Sequence, residues 1–428
     1  MNTSAASDNV VHFSTAATSA GASAKITKRI VVVSGNRIAP AATGGQLRTL
    51  SIARALARLG HSVHIFSTAG RKDDYQGTGL RPGKTLDSVL EPGLQESVHL
   101  GLGFGMLQTL ARRLDYPRVW QHALLARGLV PKPLKHVLRE ADIVLSDLPY
   151  CPPIPGPWRE KPWYLISHNL EHKLLEQGSA RQREFAAWMQ RVEGAAPQIY
   201  TDILSCAEED QAFFRAHDLR SRLRVPLIRC GVDPGLYSFA PGVREEIRAN
   251  LGLTEQDHVL VFSGSGYAPN VEALRDIQEF CRAEAEFLAL HRVYFLVVGS
   301  VSPQPSREGA LIVTGRVPEV LPYFAASDAG LNMVTRGSGS NVKLFEYLAA
   351  RLPVISTLFG VRGTQLTAGT DFLPCNRSDL KEVILHFIGS DRAFWRAQAE
   401  AVWNRHKRSC DIQDLVADAI SVLPPFSS

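Results

Sequence analysis

What most constrains this chain is a change of hydrophobic period that recurs along its length. RIVVVS (29–34) is a β-branched run closed by Gly35, which reads as a buried strand. A glycine-bearing loop follows, and then QLRTLSIARALARLG (46–60), whose apolar spacing is helical and which Gly60 ends. HSVHIFS (61–67) returns to strand. Strand, Gly-Gly loop, helix, strand is a βαβ unit, and that unit implies a parallel sheet with a right-handed crossover. DIVLSD (142–147), PWYLISHN (162–169) and DILSC (202–206) add short apolar runs, with a long helix expected within 180–197. A second series begins after the turn-rich Asp233-Pro-Gly235: HVLVFSG (258–264), VYFLVVG (293–299), ALIVTG (310–315), AGLNMV (329–334) and PVIST (353–357). The expected fold class is therefore α/β: two Rossmann-like doubly wound domains facing each other, with ligands in the cleft at the carboxyl ends of the strands.

The boundaries follow from the same pattern. Residues 1–25 are rich in Ser, Ala and Thr and read as a disordered arm. Residues 26–234 form the first domain, and residues 235–400 the second. Residues 401–428 are helical in pattern and are expected to pack back on the first domain.

The most informative loop runs GSGSNVKLFEYLAARLPVISTLFGVRG from Gly337. It lacks the G-x-x-x-x-G-K-[ST] phosphate loop, and a G-x-G-x-x-G begun at Gly337 ends on Val342. Ser340 or Asn341 can cap a helix running to about Ala350. Glycine-rich backbone leading into a helix N-terminus offers free N–H groups and a positive dipole end to an anion. Lys343 adds a charge in the first turn, where it opposes the dipole, so an anionic ligand explains it better than helix stability does. Glu346, three residues on, shares its face and can accept two hydroxyl hydrogen bonds, as from a ribose. An ordinary amphipathic helix with a solvated Lys-Glu face is the competing reading.

These stretches resemble the family 4 glycosyltransferases, retaining enzymes of the GT-B fold. Gly337 to Gly363 resembles the family's donor-binding segment, with Glu346 at the glutamate that holds the nucleotide ribose. ATGGQLRTLSIARALARLGHSVHIFST (42–68) resembles its first βαβ, with Gly44 and Gly45 over the donor diphosphate. SHNLEH (167–172) resembles the stretch that brings a histidine, here His168, into the cleft. FSGSGYAPNVEAL (262–274), with Gly264, resembles the first strand and loop of the second domain, and GRVPEVLPYFAASDAGLNMV (315–334) the run before the donor motif. Together they span most of residues 29–365 in the family's order.

The resemblance implies Lys343 and His168 as catalytic residues, and Gly44, Gly45, Gly264, Ser338, Gly339, Ser340, Asn341 and Glu346 as donor-binding ones. Two departures stand out. Ser338 occupies the place of the first of the family's two glutamates. Ser265 and Asn270 occupy the places of an arginine and a lysine that neutralise the diphosphate. Lys343 then carries more of that work, with Arg336 or Arg316 as helpers. His168 alone would read as a satisfied strand-end histidine, and Glu171 and His172 as solvated residues at a helix start.

The chain has no Asp-x-Asp, so the expected transferase uses no metal and no cofactor; its partners are a nucleotide-sugar donor and a glycan or lipid-linked acceptor. Six scattered cysteines without a C-x-x-C argue against a disulfide framework or zinc site, and fit a reducing cytoplasm. No apolar run is long enough to span a bilayer. Residues 104–139 carry seven Lys/Arg against one acid, interleaved with leucines. That region is either a basic face packed on its own domain or a peripheral contact with an anionic membrane. A net charge of +5 without a recognition motif argues against nucleic acid. A Rossmann oxidoreductase is disfavoured, because TGGQ stands where its glycine fingerprint belongs and no acid precedes Asp73 after the second strand. A GT-B relative that binds a sugar nucleotide without turning it over is the remaining alternative.

Overall fold

In a computed structural model of the chain, residues 27–41, 43–68, 77–101, 113, 125, 128–147, 153–337, 342–423 and 426 are described. The strand-like runs assemble two seven-stranded sheets. The first contains β1 (Arg29–Ser34), β2 (Ser62–Thr68), β3 (Thr85–Glu91), β4 (Leu94–His99), β5 (Ile143–Asp147), β6 (Trp163–Ile166) and β7 (Asp202–Leu204). The second contains β8 (His258–Ser263), β9 (Val293–Val298), β10 (Ser306–Glu308), β11 (Leu311–Val313), β12 (Ala329–Asn332), β13 (Val354–Ser356) and β14 (Leu373–Pro374). The strand orders are β3-β4-β2-β1-β5-β6-β7 and β10-β11-β9-β8-β12-β13-β14. The second is the first shifted by seven, down to the one antiparallel pair at the same edge. One topology is therefore used twice, although the two sequences show no repeat.

The helices in the first half are α1 (Gly44–Arg58), α2 (Lys132–Glu140), α3 (Glu171–Glu176), α4 (Ala180–Ile199) and α5 (Glu208–Ala216). Those in the second are α6 (Val243–Asn250), α7 (Ala268–Ala283), α8 (Ala285–Leu290), α9 (Leu321–Ala325), α10 (Val342–Ala349), α11 (Leu380–Ile388), α12 (Arg392–Cys410) and, returning to the first half, α13 (Ile412–Ser421). Both sheets are covered on both faces, which is why their central strands read as continuous apolar runs. Ile30 and Val32 of β1 point into one core, while Val31 and Val33 point into the other. Leu260 and Phe262 of β8 alternate with Val259 and Val261 in the same way.

Residues 235–400 do not close the second half. α12 runs unbroken through position 400, and the chain turns at Asp411. Leu415, Val416 and Ala419 of α13 then join Leu50, Ala53 and Leu56 of α1 in the first core. The outgoing and returning crossings are tied together: Val232 N–H donates to Cys410 O (2.8 Å), and Ile412 N–H to Val232 O (3.0 Å). A Cβ on Gly231 would meet Cys410 O at 2.9 Å, so this close approach requires glycine.

The β3–β4 hairpin, β10 and β14 are absent from the sequence reading. β3 is a polar edge strand and β4, paired inside it, mixes Gln, Glu, Ser and His with its apolar residues, so only their turn carried a signal: Pro92 followed by Gly93 at φ +78°, a type II turn. The 1–25 arm, most of 104–139, and Ser338, Gly339, Ser340 and Asn341 lie outside the described residues. Among the described residues no helix is long and apolar enough to cross a membrane.

Candidate active site

In both sheets the strand order reverses beside the first strand, between β1 and β5 and between β8 and β12. Such switch points open a crevice at the carboxyl ends of the strands, and the candidate residues gather there. α1 follows β1, and α10 follows β12. The two helix N-termini face one another: a Cβ on Gly44 would lie 3.8 Å from Val342 Cγ2. Thr43 caps α1 by accepting from Gln46 N–H, so Gly44 and Gly45 are the first two helical residues.

Neither glycine is demanded by its own fold. Neither has a positive φ, and an added Cβ would find ordinary contacts, 3.8 Å at Gly44 and 3.9 Å from the His168 ring at Gly45. Alanine is the better helix former at such positions. Glycines kept here are explained by a ligand that approaches the backbone.

From the second half, Lys343 turns inward. It is buried, its Nζ donates to Asn270 Oδ1 at 2.7 Å, and it lies 4.2 Å from the centre of the Phe262 ring. Asn270 Nδ2 donates in turn to Ser265 O, and the Asn270 side chain packs against Gly264. The cation missing at positions 265 and 270 is thus brought to that loop from the neighbouring helix. Burial lowers the Lys343 pKa to about 7, with Glu346 opposing the shift. Burial likewise raises Glu346 to about 7, with the Tyr237 hydroxyl and Lys343 opposing. Tyr237, in the helical turn after Asp233, donates to Glu346 Oε1 at 3.3 Å. A fully solvated Lys-Glu face is excluded, because Lys343 is buried and Glu346 half-buried; each opposes the other's shift, and an anion with hydroxyl groups would satisfy both.

Arg336 is no helper as it stands, because Glu272 holds it in a two-pronged ion pair at the surface. Arg316 is exposed. Arg362, absent from the sequence reading, lies 4.0 Å over the Phe359 ring in the loop after β13.

His168 follows β6 and is not a lone strand-end histidine. Its Nε2 lies 2.7 Å from Asp147 Oδ1, and Thr49 and Ser34 hydroxyls donate to the same carboxylate at 2.6 and 2.7 Å. Ser34 and Asp147 are paired neighbours at the ends of β1 and β5, so the switch point itself builds this group. Burial works against charge on Asp147, but the hydrogen bonds from His168, Thr49 and Ser34 outweigh it and hold the carboxyl below its ordinary value. Asp147 lay in a run read only as a strand; the signal was a Ser-Asp pair closing a buried strand.

His172 is not solvated. It is buried with Nδ1 2.5 Å from Glu193 Oε2, and Glu193 also accepts the backbone N–H groups of Glu171 and His172. That group anchors α3 to α4.

Residues 257–389 match the family model described as Glycosyl transferases group 1. Solved structures agree on the whole fold. Sucrose-phosphate synthase from Thermosynechococcus elongatus superposes with a TM-score of 0.64 at 16% identity, covering 91% of this chain and 97% of that one. A UDP-forming α,α-trehalose-phosphate synthase from Burkholderia xenovorans gives 0.62 at 15%, covering 94% and 100%. Anabaena Alr3699/HepE in complex with UDP and glucose gives 0.59 at 15%, covering 92% and 99%. At these identities the likeness speaks for the fold, which is the two-domain α/β arrangement called GT-B. Curated protein sequences give no match to the chain. The matched model and the GT-B neighbours together support a glycosyltransferase.

Proposed function

We propose that this protein is a retaining, metal-independent glycosyltransferase that moves a hexosyl group from a nucleotide sugar to a glycan or lipid-linked acceptor. The observation that carries the reading is Lys343, buried at the N-terminus of α10 with the half-buried Glu346 one turn further on, set opposite the glycine N-terminus of α1. Glu346 would accept the ribose hydroxyls. Lys343 and the facing helix N-termini would stabilise the diphosphate as the bond from the anomeric carbon to phosphate oxygen breaks and its electron pair leaves with phosphate. The acceptor oxygen then bonds to the same face of that carbon, and its proton passes to the departing phosphate oxygen. Gly264, Ser338, Gly339, Ser340 and Asn341 would complete the donor contacts, and His168 would face the sugar. That the Anabaena neighbour is seen with UDP and glucose makes UDP-sugars the first donors to try.

The test is a nucleotide-sugar panel scored for binding and donor hydrolysis, with and without EDTA. Turnover that survives EDTA and falls at least about 100-fold in Lys343→Ala, with the melting temperature kept, is expected. Turnover that requires added metal refutes metal independence. Binding without turnover for every donor and acceptor tried would instead favour a non-catalytic sugar-nucleotide binder. An unchanged Lys343→Ala would remove the phosphate assignment.

A further inference from the structure

The group around His168 fixes more than a position. Asp147 carries a fully buried carboxylate that only accepts hydrogen bonds, and its two oxygens take Ser34 Oγ (2.7 Å), Thr49 Oγ1 (2.6 Å) and His168 Nε2 (2.7 Å). A neutral imidazole has one N–H and one lone pair, and the hydrogen bond made by one nitrogen sets the state of the other. Nε2 facing a carboxylate must carry the proton. The lone pair is then on Nδ1. Nδ1 is buried and has no hydrogen-bond partner among the described residues. It lies 3.9 Å from where a Cβ of Gly45 would stand, beside the N-terminus of α1. A buried acceptor without a partner is costly in a finished core, and the neighbouring residue is a glycine that its own backbone does not require.

We propose that Asp147, braced by Ser34 and Thr49, is a positioning residue that locks His168 in the Nε2–H form, so that Nδ1 accepts a hydrogen bond from a substrate hydroxyl at the cleft. The class of ligand follows: the group seated on Nδ1 is a hydrogen-bond donor, which on a sugar is a hydroxyl or an amide N–H, and a carboxylate or phosphate oxygen is excluded from that spot. This deepens the reading of the cleft as a sugar-transfer site and rests on it. The tautomer, however, can be measured without any sugar.

The experiment uses the full chain with 15N-labelled histidine. Long-range 1H–15N spectra near pH 7.5 report which ring nitrogen is protonated, and the His168 signals are assigned by their loss in His168→Gln. The expected result is Nε2–H and a bare Nδ1 for His168 in the parent. In Asp147→Asn an amide N–H can face Nε2 and the assignment should invert to Nδ1–H. Donor turnover should then fall roughly 10- to 100-fold, mainly in kcat/KM, with the fold kept. Thr49→Val, which removes one brace and leaves the carboxylate, should retain the parent tautomer and lose less than Asp147→Asn.

An Nδ1–H parent overturns the proposal with no variant needed, as does an Asp147→Asn protein with inverted tautomer and undiminished turnover. Should no sugar nucleotide be turned over at all, the transferase reading fails while the tautomer result still decides the role of Asp147.

Discussion

The Lys343–Glu346 pair makes donor binding depend on pH in a way that follows from its burial. In the free protein both groups titrate near 7, the lysine lowered and the glutamate raised by the same desolvation. The proposed complex needs an ammonium for the diphosphate and a carboxylate for the ribose. Above pH 7 the free lysine has lost its proton, so binding must take one up. Below pH 7 the free glutamate has gained one, so binding must release it. With both groups charged in the complex, affinity peaks near pH 7. It falls about threefold one unit away, and about 25-fold two units away, on either side.

The net proton exchange at pH 8 is an uptake of about 0.8, and at pH 6 a release of the same size. A nucleotide sugar suits the measurement, since its diphosphate diester does not titrate near neutrality. Titration calorimetry in buffers of different ionisation enthalpy reads both the affinity and the proton count. Equal affinity at pH 7 and 9, or a heat at pH 8 that does not depend on the buffer, would show that Lys343 is not the depressed phosphate cation the geometry describes.

Two further perturbations separate the halves of the site. Gly44→Ala combined with Gly45→Ala should fold as well as the parent or melt slightly higher, because each Cβ has room and alanine favours the helix by up to about 1 kcal/mol per site. The same protein should bind nucleotide sugar at least about tenfold more weakly, and undiminished binding would mean that no ligand approaches that backbone. Tyr237→Phe removes the hydroxyl that holds the Glu346 pKa down, so the acid limb of the affinity profile should move to higher pH while the alkaline limb stays in place. An acid limb that does not move, measured by the same calorimetry, would show that the 3.3 Å contact does not act on Glu346.

The parts legible in the sequence were those in which one residue type has one physical meaning. β-Branched runs such as RIVVVS are buried on both faces and became the central strands. Glycines before a helical pattern became the facing helix N-termini. The parts that stayed hidden depend on contacts across long separations. β3 forms the sheet edge against β4, where its burial is partial and the polar alternation of TLDSVLE is weak. Asp147 ends β5 and His168 follows β6, and only the order β1-β5-β6 brings them to one end of the sheet. Lys343 and Asn270, 73 positions apart, meet because α10 and the β8 loop share the second switch point. A reading by position finds cations absent at 265 and 270 and names Lys343 as the substitute; the fold adds that its Nζ reaches the Asn270 side chain itself.

The repeated topology also explains why the site is asymmetric. The same sheet order places a helix N-terminus at each switch point, so each half offers an anion one set of backbone N–H groups at no cost in charge. Two such ends facing each other would suffice to bind a diphosphate, but not to separate its two substituents. The second half adds Lys343 and Glu346, which on the proposed reading would recognise the nucleotide end. The first half adds Asp147 and His168, whose Nδ1, buried without a partner among the described residues, would offer one fixed acceptor under the proposal above. A fixed acceptor suits a sugar hydroxyl and repels phosphate oxygen, so on the proposed reading the two halves would discriminate between the ends of one donor. The paired crossings at Val232 and Ile412 tie the two halves together, and on that reading they would set how closely the two kinds of recognition approach a single substrate.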